Sequence, residues 1–183
     1  RAMEAARQSG GLQPGGSGQT RPGCVSVMTV HRSKGLEFPV VFVANTTHKF
    51  NQSDAVRPVL CHRSLGVGLM LRDPGRASRY KTLPYAALAR TIRAETLSEE
   101  MRILYVALTR AQDALIVTVP VKRLEQEIKT PALCAYAEAA DAEMLQSFSS
   151  WGGWLLTAAL THPDSGPLWA RSGFLPHWRD TAA

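Results

Sequence analysis

The chain has 183 residues, of which 45% are hydrophobic, 20% charged and 7% aromatic, a composition typical of one globular domain with or without an appendage. No apolar run approaches the roughly 18 residues that a membrane-spanning helix needs, so we expect a soluble protein. The three cysteines show neither CxxC spacing nor an even pairing, which argues against a disulfide framework or a zinc site and favours a reducing cytoplasm.

Positive charge is concentrated in one part of the chain. Residues 57–93 carry eight basic side chains against the single acid Asp73, a local charge of +7 within a net charge of +6. The eight are Arg57, Arg63, Arg72, Arg76, Arg79, Lys81, Arg90 and Arg93. Most are arginines, whose planar fork binds phosphate and carboxylate groups. A polyanionic partner and a solvated basic face both explain this excess.

The first 24 residues are expected to precede the main fold. Residues 1–8 are typical of a helix end because Ala, Met, Glu, Arg and Gln favour that conformation. Residues 9–23 contain ten Gly, Pro or Ser, which predicts a flexible linker. Neither an initiator Met nor a basic-then-apolar leader stands at the start, so the chain is interpreted as a piece of a longer polypeptide with no sign of secretion.

Two strands separated by a polar turn are predicted next. Val25, Val27 and Val30 indicate a strand over residues 25–30, which ends in the turn HRSKGLE. The apolar run PVVFVA that follows is typical of a strand covered on both faces, as in a parallel sheet. Residues 46–95 are rich in Gly, Pro and Arg with weak periodicity, and we expect a basic surface insertion of short hairpin or helical pieces.

A helix and a third strand are predicted after the insertion. Thr96 and Glu99 have capping-box spacing, so the helix is expected to begin at Thr96. Its predicted buried stripe repeats at i, i+3, i+4 and i+7 and consists of Met101, Leu104, Tyr105 and Leu108. Residues 114–119, ALIVTV, predict a third buried strand. This order of elements, with long connections between them, indicates an α/β fold.

Beyond Pro120, apolar residues at helical spacing predict a helical extension over residues 121–183. Gly152 and Gly153 would each cost its last helix about 1 kcal/mol, so that helix is the weakest prediction. Four tryptophans are able to stack on bases, but packing within the extension explains them better. They are Trp151, Trp154, Trp169 and Trp178.

The chain contains no complete catalytic device. It has no GxxxxGK[ST] phosphate loop, no HExxH or GxSxG motif, and no strand ending in paired acids for magnesium, so alone it should not hydrolyse a nucleotide. The polar turn is the best candidate site, because ligands bind at the carboxyl ends of strands in open α/β sheets. Gly35 there lets a phosphate or ribose approach the backbone, and Lys34 supplies a point charge.

Two segments carry a resemblance to a known family. VMTVHRSKGLEFPVVF resembles motif V, and EEMRILYVALTRAQ resembles motif VI, of the superfamily 1 DNA helicases of the UvrD/Rep/PcrA type. The long spacer, the form LYVALTRA and the downstream SWGGWLLTAAL resemble the AddA-type, RecB-like subgroup of helicase-nucleases. The resemblance implies that residues 25–120 form the latter part of a second RecA-like domain, which is a parallel-sheet α/β domain of the P-loop NTPase type.

The resemblance also implies roles for single residues. Thr29 and His31 would contact the phosphates of single-stranded DNA. Lys34 would lie at the phosphates of the nucleotide and Glu37 at its ribose hydroxyl, with Gly35 between them.

Arg110 is implied to be the arginine finger, the catalytic group that neutralises charge on the transferring γ-phosphoryl group. The implied cofactors are ATP and Mg²⁺, with the metal held by an absent partner domain. The implied partners are single-stranded or duplex DNA, the N-terminal RecA-like domain of the same chain and an AddB-type subunit, with no membrane. The expected function is ATP-driven translocation and unwinding of DNA in double-strand break repair and recombination.

Simpler explanations stay open for several of these residues. Outside the motif, Arg110 would only complement a helix C-terminus, and His31 would be a structural or surface histidine. Arg102 is able either to reach ATP or to pair with Glu99 on its own helix.

Glu37 has a simpler explanation too, an ion pair with Lys34 or Arg32 inside the turn. For the whole protein there are two alternatives. One is a UvrD-like repair helicase without a nuclease, and the other is a non-enzymatic interaction module for DNA or protein that kept the fold and lost the chemistry.

Overall fold

The computed structural model describes residues 24–136 and 142–172. The predictions for residues 1–23, for residues 173–183 and for Trp178 therefore lie outside the described residues.

Strands and helices alternate along the described parts of the chain, which confirms the α/β class. The strands are β1 (Phe38–Val43), β2 (Val59–His62), β3 (Gly66–Asp73), β4 (Ser78–Lys81) and β5 (Ala111–Val117). The helices are α1 (Leu83–Leu108), α2 (Leu124–Glu127), α3 (Lys129–Tyr136), α4 (Ala142–Leu145), α5 (Trp151–Thr161) and α6 (Gly166–Ser172). Short 3-10 helices lie at Val30–Ser33, Ser53–Val56 and Pro163–Ser165.

β1 and β5 form a parallel pair, as the apolar run in β1 predicts. Val41 lies opposite Leu115, and Phe42 lies opposite Ile116. The prediction that these strands are covered on both faces is wrong for the described residues, because Phe42 is 66% exposed and Leu115 and Ile116 are 40% exposed. β5 also begins at Ala111, earlier than predicted. An unbroken apolar run predicts a covered strand, but a sheet of two strands brings no layer of its own to cover them.

The strand predicted over residues 25–30 is not formed. Residues 24–29 have no regular structure, Val25 and Val27 are 92% and 96% exposed, and a 3-10 helix begins at Val30. A strand satisfies its backbone N–H and C=O groups by pairing with a neighbour, and none of the described strands pairs with this segment. The valines therefore favour a strand whose neighbour the described residues do not supply.

The hairpins expected within residues 46–95 are present as an antiparallel sheet in the order β2–β3–β4. The inner face packs on α1 in a cluster of Leu60, Tyr85, Leu88 and Ala89. Gly68 permits this contact, because a Cβ at that position would lie 2.7 Å from the Cα of Tyr85. The outer face is apolar yet 40% to 57% exposed, and it consists of Val59, Val67, Leu69, Leu71 and Tyr80.

α1 begins well before the predicted start, so the capping-box prediction is wrong. Its N-cap is Thr82, whose hydroxyl accepts a hydrogen bond from the Tyr85 N–H at 3.3 Å. Pro84 fits the first turn, where its missing N–H has no helical partner to lose. Thr96 lies inside the helix, and its hydroxyl donates to the Ile92 carbonyl at 2.9 Å. The same spacing of Thr and Glu occurs inside helices, and the residues before it are strong helix formers.

The second half of α1 buries only part of the predicted stripe. Leu104 is buried and Leu108 partly buried, but Met101 is 37% and Tyr105 68% exposed. The cluster that covers this part of the helix consists of Leu97, Leu104, Cys134, Phe148 and Trp154. Periodicity predicts which residues share a face, whereas the width of the covering depends on the elements that reach it.

The residues after Pro120 are helical within the described part of the chain, as predicted. Both glycines of α5 stand where neighbours approach closely. A Cβ at Gly153 would lie 2.2 Å from the Phe148 ring, and one at Gly152 would lie 3.1 Å from the side chain of Val119. Close packing thus explains two glycines that would otherwise weaken a helix.

The tryptophans of this region are packed, which confirms that explanation for the three that the structure describes. Trp154 and Trp169 are 6% and 4% exposed. Trp151 is half-buried, and its Nε1–H donates to a carboxylate oxygen of Glu100 at 3.0 Å.

Thr82→Ala is expected to lower the free energy of unfolding by about 1 kcal/mol, because an N-cap hydroxyl contributes that much. Its hydroxyl also donates to the Leu69 carbonyl at 2.8 Å. Thr96→Ala is the matched control and should stay within about 0.5 kcal/mol of wild type, because Ala is the better helix former. Urea denaturation followed by circular dichroism measures both, and a larger loss for Thr96→Ala would contradict this helix start.

Cys134 is expected to be the unreactive thiol. Burial raises the pKa of the Cys134 thiol above its usual 9.0, whereas Cys24 and Cys61 are exposed. A raised pKa lowers the thiolate fraction at about pH 8, and the thiolate is the reactive species. A chromogenic thiol reagent should therefore find two fast thiols among these three and reach Cys134 after denaturation. Cys134→Ala should keep both fast thiols, and losing one of them would contradict the assignment.

Candidate functional site

The polar turn that precedes β1 has a fixed backbone. Lys34 and Gly35 occupy the centre of a type II turn, with φ −59° and ψ 124° at Lys34 and φ +81° at Gly35. The Leu36 N–H donates to the Ser33 carbonyl at 3.0 Å and closes the turn. Glycine is required at position 35 because this turn needs a positive φ there. The space around Gly35 is open, since no atom lies within 4 Å of the point that a Cβ would occupy.

Arg110 connects the end of α1 to this turn. Its Nε donates to the Val106 carbonyl at 2.9 Å, and its Nη2 donates to the Thr109 hydroxyl at 3.3 Å. Its Nη1 reaches across to the Leu36 carbonyl at 3.0 Å. In return, the Phe38 N–H donates to the Arg110 carbonyl at 2.9 Å. The two motifs, far apart in sequence, are therefore in direct contact.

The guanidinium of Arg110 keeps part of its binding capacity. It has five N–H donors, and the three hydrogen bonds above use three of them. Among the described residues, no carboxylate lies within 4.0 Å of its nitrogens. The contact with Val106 confirms that Arg110 complements the helix C-terminus, but the charge and two donors stay available for an anion.

The turn lies at the amino ends of β1 and β5, because Phe38 and Ala111 begin those strands. The expectation that it lies at the carboxyl end of a strand over residues 25–30 is wrong for the described residues, since that strand is not formed. The site is instead built where the end of α1 and the turn enter two neighbouring strands together.

Glu37 is held by a residue that sequence reasoning does not single out. Its Oε2 accepts a hydrogen bond from Nε2 of Gln112 at 3.1 Å. The alternative ion pair of Glu37 with Lys34 or Arg32 is not formed within the described chain. Gln112 stands two residues after Arg110 in the segment TRAQ, and that proximity is the signal that could have found it.

The predicted DNA-contact residues carry side chains that the fold does not use. Thr29, His31 and Lys34 are exposed, and their side chains make no hydrogen bond to another described residue. The Thr29 carbonyl does serve the fold, since it accepts from the backbone N–H groups of Arg32 and Ser33 at 3.0 and 3.2 Å. These three side chains are therefore accessible at the start of the 3-10 helix and in the turn.

Two acids of α1 are engaged away from the turn. Glu99 pairs with Arg102 at 3.5 Å, which is the intrahelical contact considered for Arg102, and both side chains are exposed. Glu100 accepts from Trp151 and so ties α1 to α5. Neither acid contributes to the site around Arg110.

Metal ligands are not gathered in the described residues, where no group of three or more His, Cys, Asp or Glu side chains is able to hold an ion. No helix in the described ranges is long and apolar enough to cross a membrane.

The motifs and their contact place the chain in a class of proteins. The model of the UvrD-like helicase C-terminal domain matches residues 12–122, and the chain belongs to this family. The resemblance to superfamily 1 DNA helicases is thereby confirmed.

Three curated relatives narrow the likeness, and the name of each describes a subunit of an ATP-dependent helicase/nuclease. The one from Alkaliphilus oremlandii is 39% identical over 144 residues, which are 79% of this chain and 12% of the relative. The one from Heliobacterium modesticaldum is 41% identical over 144 residues, 76% of this chain and 10% of the relative. The one from Ruminiclostridium cellulolyticum is 49% identical over 102 residues, 56% of this chain and 8% of the relative. The chain thus spans about a tenth of the length of these relatives.

Gly35→Ala is expected to cost about 1 to 2 kcal/mol of stability, because an alanine must adopt a left-handed conformation there. The open space around Gly35 excludes a steric contribution from neighbours. Gly35→Asn should cost less, since Asn tolerates this conformation better than Ala. Thermal unfolding of the two variants measures the difference, and an equal cost for both would show that the turn is not the cause.

Proposed function

We propose that this chain is the part of an ATP-dependent DNA helicase that completes the ATP site and contacts single-stranded DNA. The observation that carries the proposal is the position of Arg110, which is fastened to the turn of motif V and keeps two N–H donors and its charge. An arginine held in this way is suited to contact a phosphate group that arrives from a facing domain.

The chemical task proposed for Arg110 is that of the arginine finger. Its planar fork neutralises negative charge that spreads over the γ-phosphoryl group during transfer, an effect worth about 10³ to 10⁵ in rate. The hydrogen bonds to Val106 and Leu36 hold the fork in place beforehand, so little order is lost when the phosphate binds.

The turn is proposed to supply the remaining contacts to the nucleotide. Lys34 brings an exposed positive charge for the phosphates, and Gly35 leaves the backbone open to them. Glu37, oriented by Gln112, is proposed to accept a hydrogen bond from the ribose hydroxyl. Mg²⁺ is proposed to be held by the other RecA-like domain, since the described residues gather no metal ligands.

Thr29 and His31 are proposed to contact the phosphates of single-stranded DNA, because the fold leaves both side chains free for a partner. The 3-10 helix Val30–Ser33 joins them to the turn, and Ser33 anchors it with a hydroxyl that donates to the Val30 carbonyl at 2.8 Å. A change in the turn during ATP hydrolysis would therefore shift His31 along the strand, and repeated changes would produce translocation.

For the whole protein we propose an AddA-type subunit of a helicase-nuclease, which processes double-strand breaks for recombination in the cytoplasm with an AddB-type partner. The relatives' names support this, since they specify both a helicase and a nuclease and the word subunit. The alternative is a UvrD-like repair helicase without nuclease. Degradation of linear duplex DNA by the full-length protein separates the two, because only the helicase-nuclease should shorten the strands.

Arg110→Ala in the full-length protein is expected to reduce DNA-stimulated ATP hydrolysis by about 10³-fold or more, with nucleotide binding largely kept. Arg110→Lys should restore little, because Lys keeps the charge and lacks the fork. Steady-state ATPase assays with and without single-stranded DNA, together with nucleotide titrations, measure both effects.

The matched control is Arg123→Ala, which removes an exposed arginine from the start of α2 and should leave the ATPase rate unchanged. If Arg110→Ala hydrolyses ATP like wild type, Arg110 only completes a helix end. The non-enzymatic interaction module then becomes the better explanation.

A further inference from the structure

The β3–β4 hairpin, residues 66–81, concentrates positive charge near its tip, and we call it the basic hairpin. Its four cations stand against one acid, Asp73, over sixteen residues. They are Arg72, Arg76, Arg79 and Lys81, and all four are exposed. The hairpin therefore presents a net charge of +3 on a short, protruding element.

The register of the sheet places two of these cations side by side. Arg72 lies directly opposite Arg79, and Lys81 lies two residues along β4 on the same face. Like charges at directly opposed positions destabilise a sheet. Residues two apart on a strand lie about 6.6 Å apart, so the row of cations has a spacing of the same order as that of neighbouring phosphates in a nucleic-acid backbone.

None of the four cations is neutralised within the described chain. Their side chains make no ion pair or hydrogen bond to another described residue. The one nearby acid serves the turn instead, because Asp73 accepts the Gly75 N–H at 2.9 Å. Ala77 holds the turn in the left-handed region, with φ +49°, which is unusual for a residue other than glycine. The hairpin thus maintains its charges at a strained, well-defined tip.

The anion that fits this surface is not the nucleotide at Arg110. α1 contains 26 residues and is about 39 Å long. Lys81 lies just before its start and Arg110 just after its end, so the helix separates the two sites by nearly its whole length. The basic hairpin therefore needs a second, extended anion.

We propose that the basic hairpin binds the phosphodiester backbone of DNA at a site separate from Thr29 and His31. This inference rests on the proposed function, which supplies DNA as the substrate. Several exposed cations in a row match a repeating anion, and arginine forks grip phosphate oxygens. The face that carries Arg72, Arg79 and Lys81 bears no exposed aromatic ring, because Tyr80 points to the other face with Leu71. The contact is therefore independent of base sequence.

The test compares DNA binding by the full-length protein and by its R72A/R76A/R79A variant, on duplex and on single-stranded oligonucleotides over a range of salt. Each phosphate that the protein no longer neutralises lowers the slope of log affinity against log salt by about 0.9 on duplex and 0.7 on a single strand. The triple variant should bind at least about tenfold more weakly at low salt, with a slope reduced by about 2 to 3. Weaker binding to duplex alone or to single strands alone supports the inference and identifies the form of DNA bound.

The matched control is K122A/R123A/K129A, which removes three exposed cations from the helical region and should leave affinity and slope as in wild type. A second variant, R72Q/R76Q/R79Q, keeps polar side chains of similar length and guards against misfolding of the first. Unchanged affinity and slope in both hairpin variants would overturn the inference, as would an effect on binding to a partner polypeptide alone.

Failure of this inference is separable from failure of the proposed function. If wild type hydrolyses ATP in response to DNA and Arg110→Ala does not, the function stands whatever the hairpin variants do. If wild type shows no DNA-stimulated ATPase, the proposed function fails, and the salt-dependent binding still reports on the hairpin by itself.

Discussion

A single continuous helix, α1, determines where everything else in the described chain lies. Its first half covers the antiparallel sheet through Tyr85 and Leu88, and its second half carries the cluster around Leu104. Its end delivers Arg110 to the polar turn. Because a helix resists bending over this length, the hairpin sheet and the turn are held at fixed positions relative to each other.

The site itself depends on a reciprocal pair of hydrogen bonds. The Arg110 side chain donates to the Leu36 carbonyl, and the Phe38 N–H donates to the Arg110 carbonyl. The first bond orients a charge and the second aligns the beginnings of β1 and β5. The same residues that start a parallel pair therefore fix the candidate catalytic arginine, so the fold and the site are not separable here.

Much of this arrangement follows from sequence, and the failures have physical causes. The parallel pairing of β1 with β5 follows from the apolar run in β1. The helix start at Thr82 escapes prediction because Thr96 and Glu99 have capping-box spacing inside a helix whose earlier turns are covered by the sheet. The exposure of Phe42 escapes prediction because an apolar pattern shows what a residue prefers and not which neighbour is present. The role of Gln112 requires the fold, since only the pairing of β1 with β5 brings it to Glu37.

The outer face of the antiparallel sheet has a consequence for how this chain is able to vary. Its apolar side chains, such as Val67 and Leu69, point away from α1 and support none of the buried clusters. Exchanging them for polar residues would leave the interior of the described chain intact. Any evolutionary restriction on these positions must therefore arise from a surface outside the described residues, and the pattern of accepted substitutions there would record the shape and chemistry of that surface.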